Sequence, residues 1–351
     1  MSYAEFARKT LLVLLLVALA LLLWAISGVL VLAFGAALFG VALSALAGLL
    51  SRATGLSRDW ALGVVVLLLF VLGAGGAWFF GTRLVAEFSA LAQTIPASIG
   101  RLRAILQGND WGQRLLDELQ NLDLAGLGGS AFPTLIGTAT SALGALANAF
   151  LIVVAGLYLA FQPGLYVDGV ARLAPAARRG EARQFLSAVG RALRLWLLGQ
   201  LVSMAVVGIL SGLAMWLIGV PSPLALGLIA GLTEFIPILG PILGAVPSIL
   251  AALAAKPVLA LYAAGAFVLI QQIENHLLTP IVQRETVSLP PALTIFATVV
   301  AGAVVGLPGV LFATPLAVVA MVAVKLFYVR DALGEAPGPL PGDGEGGGGN
   351  D

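Results

Sequence analysis

Long apolar runs separated by short polar stretches dominate this chain. The first apolar run covers residues 11–50. As a helix it is roughly 60 Å long, about twice the ~30 Å hydrocarbon core of a bilayer. It predicts two membrane-spanning helices with a turn at Ser27-Gly28, and a third apolar helix follows at 60–82. We therefore expect three N-terminal transmembrane helices within residues 1–82.

Residues 83–134 are more polar and predict a small amphipathic helical insert outside the membrane, on the extracytoplasmic side. Its first part carries an apolar stripe at helical spacing that is interrupted at Pro96, and a second short amphipathic piece covers 111–122. The apolar positions of the stripe are Leu84, Phe88, Leu91, Ile95, Ile99, Leu102 and Leu106.

Residues 135–219 predict transmembrane helices 4 and 5. Between them, residues 165–195 are rich in arginine: residues 172–194 hold six arginines against the single acid Glu181. This composition predicts a cytoplasmic interfacial helix that leads into the fifth span. At the far end, residues 331–351 predict a disordered acidic Gly/Pro tail, to which we assign no function.

Two hydrophobic segments, 221–255 and 290–329, are interrupted by glycine and proline, and the helix 257–280 lies between them. Lipid cannot satisfy the backbone groups that such breaks leave free, so the breaks must face protein or a watery cavity. Paired broken segments of this kind are a sequence pointer to the binding site of a transporter. We expect residues 220–330 to form a transport core whose helix tips are Pro237, Gly240, Pro241, Gly306, Pro308 and Gly309.

The broken segments leave the number of membrane crossings open. If each segment dips into the membrane and returns, the chain crosses six times, whereas one crossing for each gives eight. Two half-length arms around a Gly/Pro tip favour the hairpin arrangement.

Composition sets the protein class and excludes others. Of 351 residues, 60% are hydrophobic and 10% charged, and the mean hydropathy is +1.06, so the fold class is an all-α polytopic integral membrane protein with six to eight transmembrane helices. Without cysteine there is no disulfide framework and no thiolate metal site. No metal-ligand spacing, catalytic triad or basic aromatic patch is present, so we expect no metal, no cofactor, no enzymatic activity and no nucleic-acid partner.

Basic residues predict the orientation. With the N-terminus inside, ten of them lie on the predicted cytoplasmic side and four, Arg83, Arg101, Arg103 and Arg114, lie outside. This bias supports the orientation of the first five spans, and we expect both termini to lie in the cytoplasm. We expect the arginine-rich segment to touch anionic membrane lipids.

Glu234 is the first candidate for a functional side chain. A carboxylate in the middle of a hydrophobic segment costs several kcal/mol unless it is paired, hydrated or protonated. It either binds substrate or a coupling ion, or pins a broken helix to neighbouring arginine or amide groups.

A second group of candidates lies near the end of helix 257–280. Gln271, Glu274 and Asn275 offer oxygen ligands for Na⁺ or for the hydroxyl groups of a small polar solute, although an interfacial structural role is the alternative. His276, the single histidine, titrates near neutral pH and is a candidate for coupling, against the alternative of a purely structural histidine.

Three blocks of the sequence carry a resemblance to a known family. These blocks, GLTEFIPILGPILGAVPSILAAL, QIENHLLTPIV and VSLPPALTIFATVVAGAVVGLPGVLFATPLA, resemble the hallmark blocks of the autoinducer-2 exporter family of bacterial permeases, the PerM-like proteins. The family's acidic E-x-I-P position falls on Glu234, and its Q-x-x-E-N position on Gln271, Glu274 and Asn275.

The resemblance implies a bacterial inner-membrane secondary transporter that forms a homo-oligomer. Relatives are described as exporters of autoinducer-2 or as Na⁺ or Li⁺/proton antiporters, so the expected partner is a small polar solute or a monovalent cation and a proton. In this hypothesis the transport core moves against a scaffold of the first spans by alternating access. The alternative is a non-transporting membrane scaffold or assembly protein that acts through the 83–134 insert.

Overall fold

The computed structural model describes residues 3–108, 113, 139–278, 290–331 and 333–334, and regular structure in these residues is helical throughout, which confirms the predicted all-α class. Two of the helices continue as π-helical turns, at Glu274–Leu278 and at Val324–Arg330. The α-helices are α1 (Tyr3–Ala25), α2 (Ser27–Thr54), α3 (Arg58–Gln107), α4 (Ala139–Phe161), α5 (Pro163–Arg172), α6 (Arg179–Ile218), α7 (Pro223–Thr233), α8 (Leu239–Ala255), α9 (Pro257–Ile273), α10 (Pro291–Val305) and α11 (Leu307–Ala323).

Several described helices are long and apolar enough to cross a bilayer. These five are Ser27–Thr54, Arg58–Arg101, Ala176–Ile218, Pro257–His276 and Leu307–Arg330, and the pair Leu146–Phe161 and Pro163–Arg172, bent by 91°, makes a sixth if it is one span. The protein is therefore a polytopic membrane protein, as predicted. The choice between six and eight crossings stays a prediction.

Proline and glycine set many of the helix boundaries. Proline occupies the first turn of α5, α7, α9, α10 and α11, where its missing N–H group has no helical partner to lose. At the end of α6, Gly219 adopts φ +81°, and Val220 N donates to Met215 O at 2.9 Å. This arrangement is a Schellman C-cap, which needs a residue without a Cβ atom.

The predicted turn at Ser27-Gly28 is wrong. Ile26 N donates to Leu22 O and Leu30 N donates to Ile26 O, both at 3.0 Å, so helical hydrogen bonds continue past the boundary between α1 and α2. Gly28 keeps a negative φ. Without a proline or a left-handed residue, nothing in the backbone forces the chain to turn there.

The predicted border between a third span and a separate insert does not coincide with a helix end. Helix α3 runs unbroken for 50 residues and contains Pro96, so the predicted interruption at this proline is wrong. A proline inside a helix is tolerated when neighbouring groups satisfy the freed carbonyl groups. Nearly all of the predicted piece 111–122, residues 135–138 and most of the tail 331–351 lie outside the described residues.

The arginine-rich segment 165–195 is not one interfacial helix. Residues 163–172 form α5, a short 3₁₀ turn follows at Ala176–Arg178, and residues 179–195 belong to α6, which continues to Ile218. A change from polar to apolar composition within α6 changes the surroundings of the helix but does not break its hydrogen bonds.

The described residues pack as two compact units, of which the first contains those within 1–44, 148–193 and 289–340. Its α10 and α11 form a helical hairpin. A Cβ atom on Gly302 would lie 2.8 Å from Val310 Cγ2, so the two arms run antiparallel in close contact. Beyond α11, Arg330 Nη1 donates to Gln184 Oε1 at 2.9 Å, and the rings of Phe327 and Phe185 lie 5.0 Å apart.

The second unit contains residues 45–147 and 194–288 among those described. Helices α7 and α8 form the other helical hairpin, because a Cβ atom on Gly244 would lie 2.9 Å from Ala230 Cα. A buried apolar cluster joins this hairpin to α3, α6 and α9; its members include Leu91, Val207, Leu226, Ala251 and Phe267. Both broken segments are thus hairpins, although they lie in different units, and the single transport core 220–330 stays a prediction.

Candidate functional site

Glu234 lies at the tip of the α7–α8 hairpin, where it follows the last residue of α7. Its N–H group donates to Ala230 O at 3.1 Å, and Ile236 N donates to Thr233 O at 3.0 Å, so the helix tightens as it ends. The residue is 3% exposed, and its Oε2 atom has no hydrogen-bond partner among the described residues. A buried polar atom without a partner is rare and requires a functional or structural reason.

Glu274 faces Glu234 from α9. The carboxyl groups lie within hydrogen-bonding reach of each other. An ionised carboxylate only accepts hydrogen bonds, so a bond between these two groups requires a proton on one of them. Gln271 Nε2 donates to Glu274 Oε2 at 3.0 Å. The structure therefore brings three of the four predicted binding residues together within the second unit.

The backbone of α9 changes at this point. The α-helix ends at Ile273, and Glu274 is the first residue of the π-helical turn. Single π turns inside helices are frequent at functional sites because they redirect a side chain that a regular helix would aim elsewhere. Asn275 and His276 lie in the same turn but are exposed, and His276 Nδ1 is 3.0 Å from Gln272 O.

Two residues of α6 support the hairpin tip, and sequence reasoning missed both. Gln200 Nε2 donates to Glu234 O at 2.5 Å, and the Trp196 ring packs edge-on against Phe235 with ring centres 5.7 Å apart. A polar side chain inside an apolar membrane helix is uncommon, so the position of Gln200 could have marked it as a candidate site residue. No local pattern connects it to Glu234, 34 residues further along the chain.

The tip conformation explains its glycine and shows backbone strain. A Cβ atom on Gly240 would lie 2.5 Å from Thr233 O and 2.7 Å from Glu234 Cα, so only glycine allows this close approach. Ile238 adopts φ 73° and ψ −47°, close to the strained γ-turn conformation. Pro237 lies within the turn and Pro241 in the first turn of α8.

The other predicted tip has a comparable backbone. Gly306 joins α10 and α11 with φ +74° and ψ −149°, a conformation that only glycine adopts readily. Pro308 lies in the first turn of α11, and Gly309 packs against the carbonyl group of Ala301. These residues belong to the first unit, and Glu234 and Glu274 to the second.

Helix α3 anchors both ends of the α7–α8 hairpin. Glu87 Oε2 accepts a hydrogen bond from Ala225 N at 2.9 Å, so its carboxylate caps the N-terminus of α7. Arg101 Nη1 donates to Ala254 O at 2.6 Å, near the C-terminus of α8. Both residues were predicted to lie in an extramembrane insert. In the structure, this part of α3 packs on the candidate site's own hairpin.

A cavity of about 750 Å³ lies between α3, α6 and α7. Its walls are apolar except for Arg83, and they include Gly208, Gly212 and Gly227. Neither Glu234 nor Glu274 lines it, so this cavity and the carboxylate pair are separate features of the second unit.

The carboxylate pair has the chemistry of a site for a proton or a monovalent cation. Carboxylate and amide oxygens are the donors that hard cations prefer. Among the described residues, no group of three or more His, Cys, Asp or Glu side chains converges as a metal cluster would. Two carboxyl groups and the Gln271 amide are the side chains of the predicted binding set that the structure brings together here.

Residues 12–328 match the sequence model of the family described as "AI-2E family transporter". The chain belongs to the AI-2E transporter family. It is 26% identical over 265 residues to the Bacillus subtilis strain 168 protein named "Putative transport protein YrrI", a match that covers 72% of this chain and 74% of the relative. A second protein of that strain, named "Putative transport protein YueF", is 26% identical over 294 residues, which cover 76% of this chain and 75% of the relative.

A shorter match concerns Mycobacterium tuberculosis. Its protein named "Putative transport protein MT0215" is 34% identical over 109 residues, 31% of this chain and 29% of the relative. Membership of the AI-2E transporter family agrees with the predicted class of membrane transporter. The binding roles of Glu234, Gln271, Glu274, Asn275 and His276 stay predictions.

Proposed function

We propose that this AI-2E family protein is a secondary transporter of the bacterial inner membrane that exchanges Na⁺ or Li⁺ for protons by alternating access. The coupling site in this proposal is the pair Glu234 and Glu274, with Gln271 as a third oxygen donor. The observation that supports it is a carboxyl group that is 3% exposed, has one unpartnered oxygen and faces a second carboxyl group.

The electrostatics of the pair favour exchange. Two unit charges about 4 Å apart repel each other by roughly 4 kcal/mol at an effective dielectric constant near 20. Burial adds a further cost for each charge that is left unpaired. A proton on one carboxyl group or a cation between the two removes the repulsion, and either occupant excludes the other. Mutually exclusive occupancy of one site is the condition that antiport requires.

The hairpin gives this site a possible path to alternating access. Its tip is held by the Gln200 bond and the Trp196–Phe235 ring contact, whereas its ends are held by α3. In our proposal the tip moves while the ends stay anchored. The charge bias of the sequence supports cytoplasmic termini, and the resemblance to the family supports a homo-oligomer; both belong to the proposal.

Export of a small polar solute is the second candidate. The resemblance to the autoinducer-2 exporter family favours an exported solute, and the same carboxylate and amide groups accept hydrogen bonds from solute hydroxyl groups. In that case a proton or cation gradient drives export of the solute, and a cation gradient without the solute produces no change of pH inside vesicles.

The test is transport by the purified full chain in proteoliposomes that contain a pH-sensitive dye. An imposed Na⁺ or Li⁺ gradient should change the internal pH. Glu234→Gln and Glu274→Gln should each slow this change about 10-fold or more, because a charge-assisted interaction is lost. Glu181→Gln is the matched control, since Glu181 is exposed in the first turn of α6, and it should transport at the wild-type rate.

Wild-type protein that reconstitutes correctly but gives no cation-driven pH change contradicts antiport. Counterflow of small polar solutes in the same vesicles would then favour export. The scaffold alternative predicts instead that Glu234→Gln leaves the function of the protein in cells unchanged, whereas deletion of residues 108–134 abolishes it. A larger deletion from residue 83 is unsuitable, because residues 87 and 101 hold the hairpin.

A further inference from the structure

Three arginines meet where α2, α3 and α6 come together in the second unit. Arg52 lies in the last turn of α2, Arg58 is the first residue of α3, and Arg194 lies in α6. Both Arg52 and Arg58 repel the Arg194 guanidinium group, which is half-buried. Arg52 and Arg58 were counted only among the predicted cytoplasmic basic residues, whereas Arg194 belongs to the arginine-rich segment that we expected to touch anionic lipids.

Arg194 occupies a fixed position because a glycine makes room for it. A Cβ atom on Gly48 would lie 2.6 Å from Arg194 Nη2 and 3.3 Å from Arg194 Cζ. The guanidinium group therefore packs closely against α2 at this glycine. Arg52 follows Gly48 by four residues, one helical turn, and so lies on the same face of α2.

The loop between α2 and α3 is also well fixed. Ser51 Oγ donates to Leu56 O at 2.7 Å, and Gly55 adopts φ +73° at the end of α2. These interactions define where Arg58 begins α3.

No carboxylate within the described part of the chain pairs with any of the three arginines; ion pairs such as Arg83–Glu87, Arg183–Asp168 and Arg330–Asp331 involve other residues. Asp59 follows Arg58 in the sequence and is exposed. Three neighbouring cations without an anion are unfavourable when one of them is partly desolvated. A bound anion removes this cost.

The surroundings indicate which anion. Guanidinium groups bind phosphate through two parallel hydrogen bonds. Next to the cluster, Leu56 is 40% exposed and Trp60 is 73% exposed, and tryptophan is typical of the membrane interface. An apolar border beside the cations suits a ligand that carries acyl chains, and basic pockets between membrane helices bind anionic lipid head groups.

We propose that Arg52, Arg58 and Arg194 form a binding site for the phosphate group of an anionic phospholipid. The site ties the α2–α3 loop to α6 through the lipid. It is independent of the carboxylate pair and of the transport activity proposed above.

The test is native mass spectrometry of the full chain in a neutral detergent, titrated with phosphatidylglycerol or with phosphatidylcholine. Wild type should retain phosphatidylglycerol in preference to phosphatidylcholine. Each arginine near a membrane surface contributes about fivefold to the affinity for anionic lipid, so Arg52→Gln/Arg58→Gln should bind phosphatidylglycerol about 25-fold more weakly. Both side chains are exposed, so this double variant should still fold.

Lys256→Gln is the matched control for charge. Lys256 lies near the Arg101 end of α3, and the 44 residues of Arg58–Arg101 correspond to about 65 Å of helix, far beyond the screening length. This variant should bind within about twofold of wild type. Equal loss in the control and the double variant would show a general charge effect and overturn the site.

Two further arms separate the sources of phosphate. Inorganic phosphate at millimolar concentration should not displace the lipid, because it lacks acyl chains. If it does, the cluster binds free phosphate and the lipid assignment fails. Equal retention of phosphatidylcholine would show that the net negative charge is not recognised, which also contradicts the proposal.

Discussion

Helices α6 and α7 cross at four glycines, and this crossing provides a direct test of the packing in the second unit. Gly208 and Gly212 lie on α6, and Gly227 and Gly231 lie on α7, each pair four residues apart. A Cβ atom on Gly227 would lie 2.7 Å from Gly212 Cα and 2.8 Å from Gly208 O. The two backbones are thus in direct contact, as in other small-residue interfaces of membrane helices.

We predict that Gly227→Ala destabilises the protein. Carbon atoms in contact are normally about 3.5–4.0 Å apart, so the new methyl group must push the two helices apart by roughly 1 Å. The neighbours are backbone atoms, which cannot rotate out of the way as a side chain can. Overpacking of this kind costs about 1–3 kcal/mol. The displacement should also weaken the bond from Gln200 to Glu234, since the same two helices carry it, and so reduce transport.

The assay is thermal unfolding of the purified protein in detergent, with Gly265→Ala as the control. Gly265 lies on α9, where an added Cβ atom meets nothing within 4 Å. Alanine is the better helix former by roughly 0.5–1 kcal/mol, so this control should be unchanged or slightly more stable. A Gly227→Ala protein as stable as the control would refute the inferred backbone contact.

Two more predictions concern the hairpin. Glu87→Ala should lower the free energy of unfolding by about 1 kcal/mol, because the cap of α7 is lost. Arg83→Gln is the control and should change it by less than about 0.5 kcal/mol, since the Arg83 side chain is 63% exposed and exposed ion pairs contribute little. Equal effects of the two variants in denaturant unfolding would assign the stabilisation to the ion pair instead. Ile238→Gly should stabilise the protein by about 1 kcal/mol, because glycine adopts a positive φ without strain. Ile238→Val is the control and should leave the stability unchanged, since valine is as strained at this φ as isoleucine. A lower unfolding midpoint for the glycine variant would mean that the turn is not strained.

The sequence predicted the features whose cause is local. Apolar runs of sufficient length indicate a membrane protein, and glycine and proline mark the hairpin tips because they interrupt a regular helix. The bond between Gln271 and Glu274 also follows from local spacing, since residues three apart are neighbours on a helix.

Features that depend on a second helix were not predictable from one segment. Hydropathy reports what surrounds a residue, so the polar change near residue 83 indicated an element boundary although α3 continues unbroken. The cap that Glu87 provides for α7 joins residues 138 apart. The same holds for the glycines of α6 and α7, whose pairing becomes visible only when the two helices are known to cross.

The length of α3 has a mechanical consequence. Fifty residues of helix measure about 75 Å, whereas a bilayer with its head groups is about 40–45 Å thick. To fit inside, the helix would have to tilt by more than 50°, beyond the range of roughly 0–40° seen for membrane helices. Part of α3 therefore extends beyond the bilayer. Glu87 and Arg101 of α3 bind the two ends of the α7–α8 hairpin, so a force that displaces α3 is transmitted directly to the hairpin rather than through the lipid.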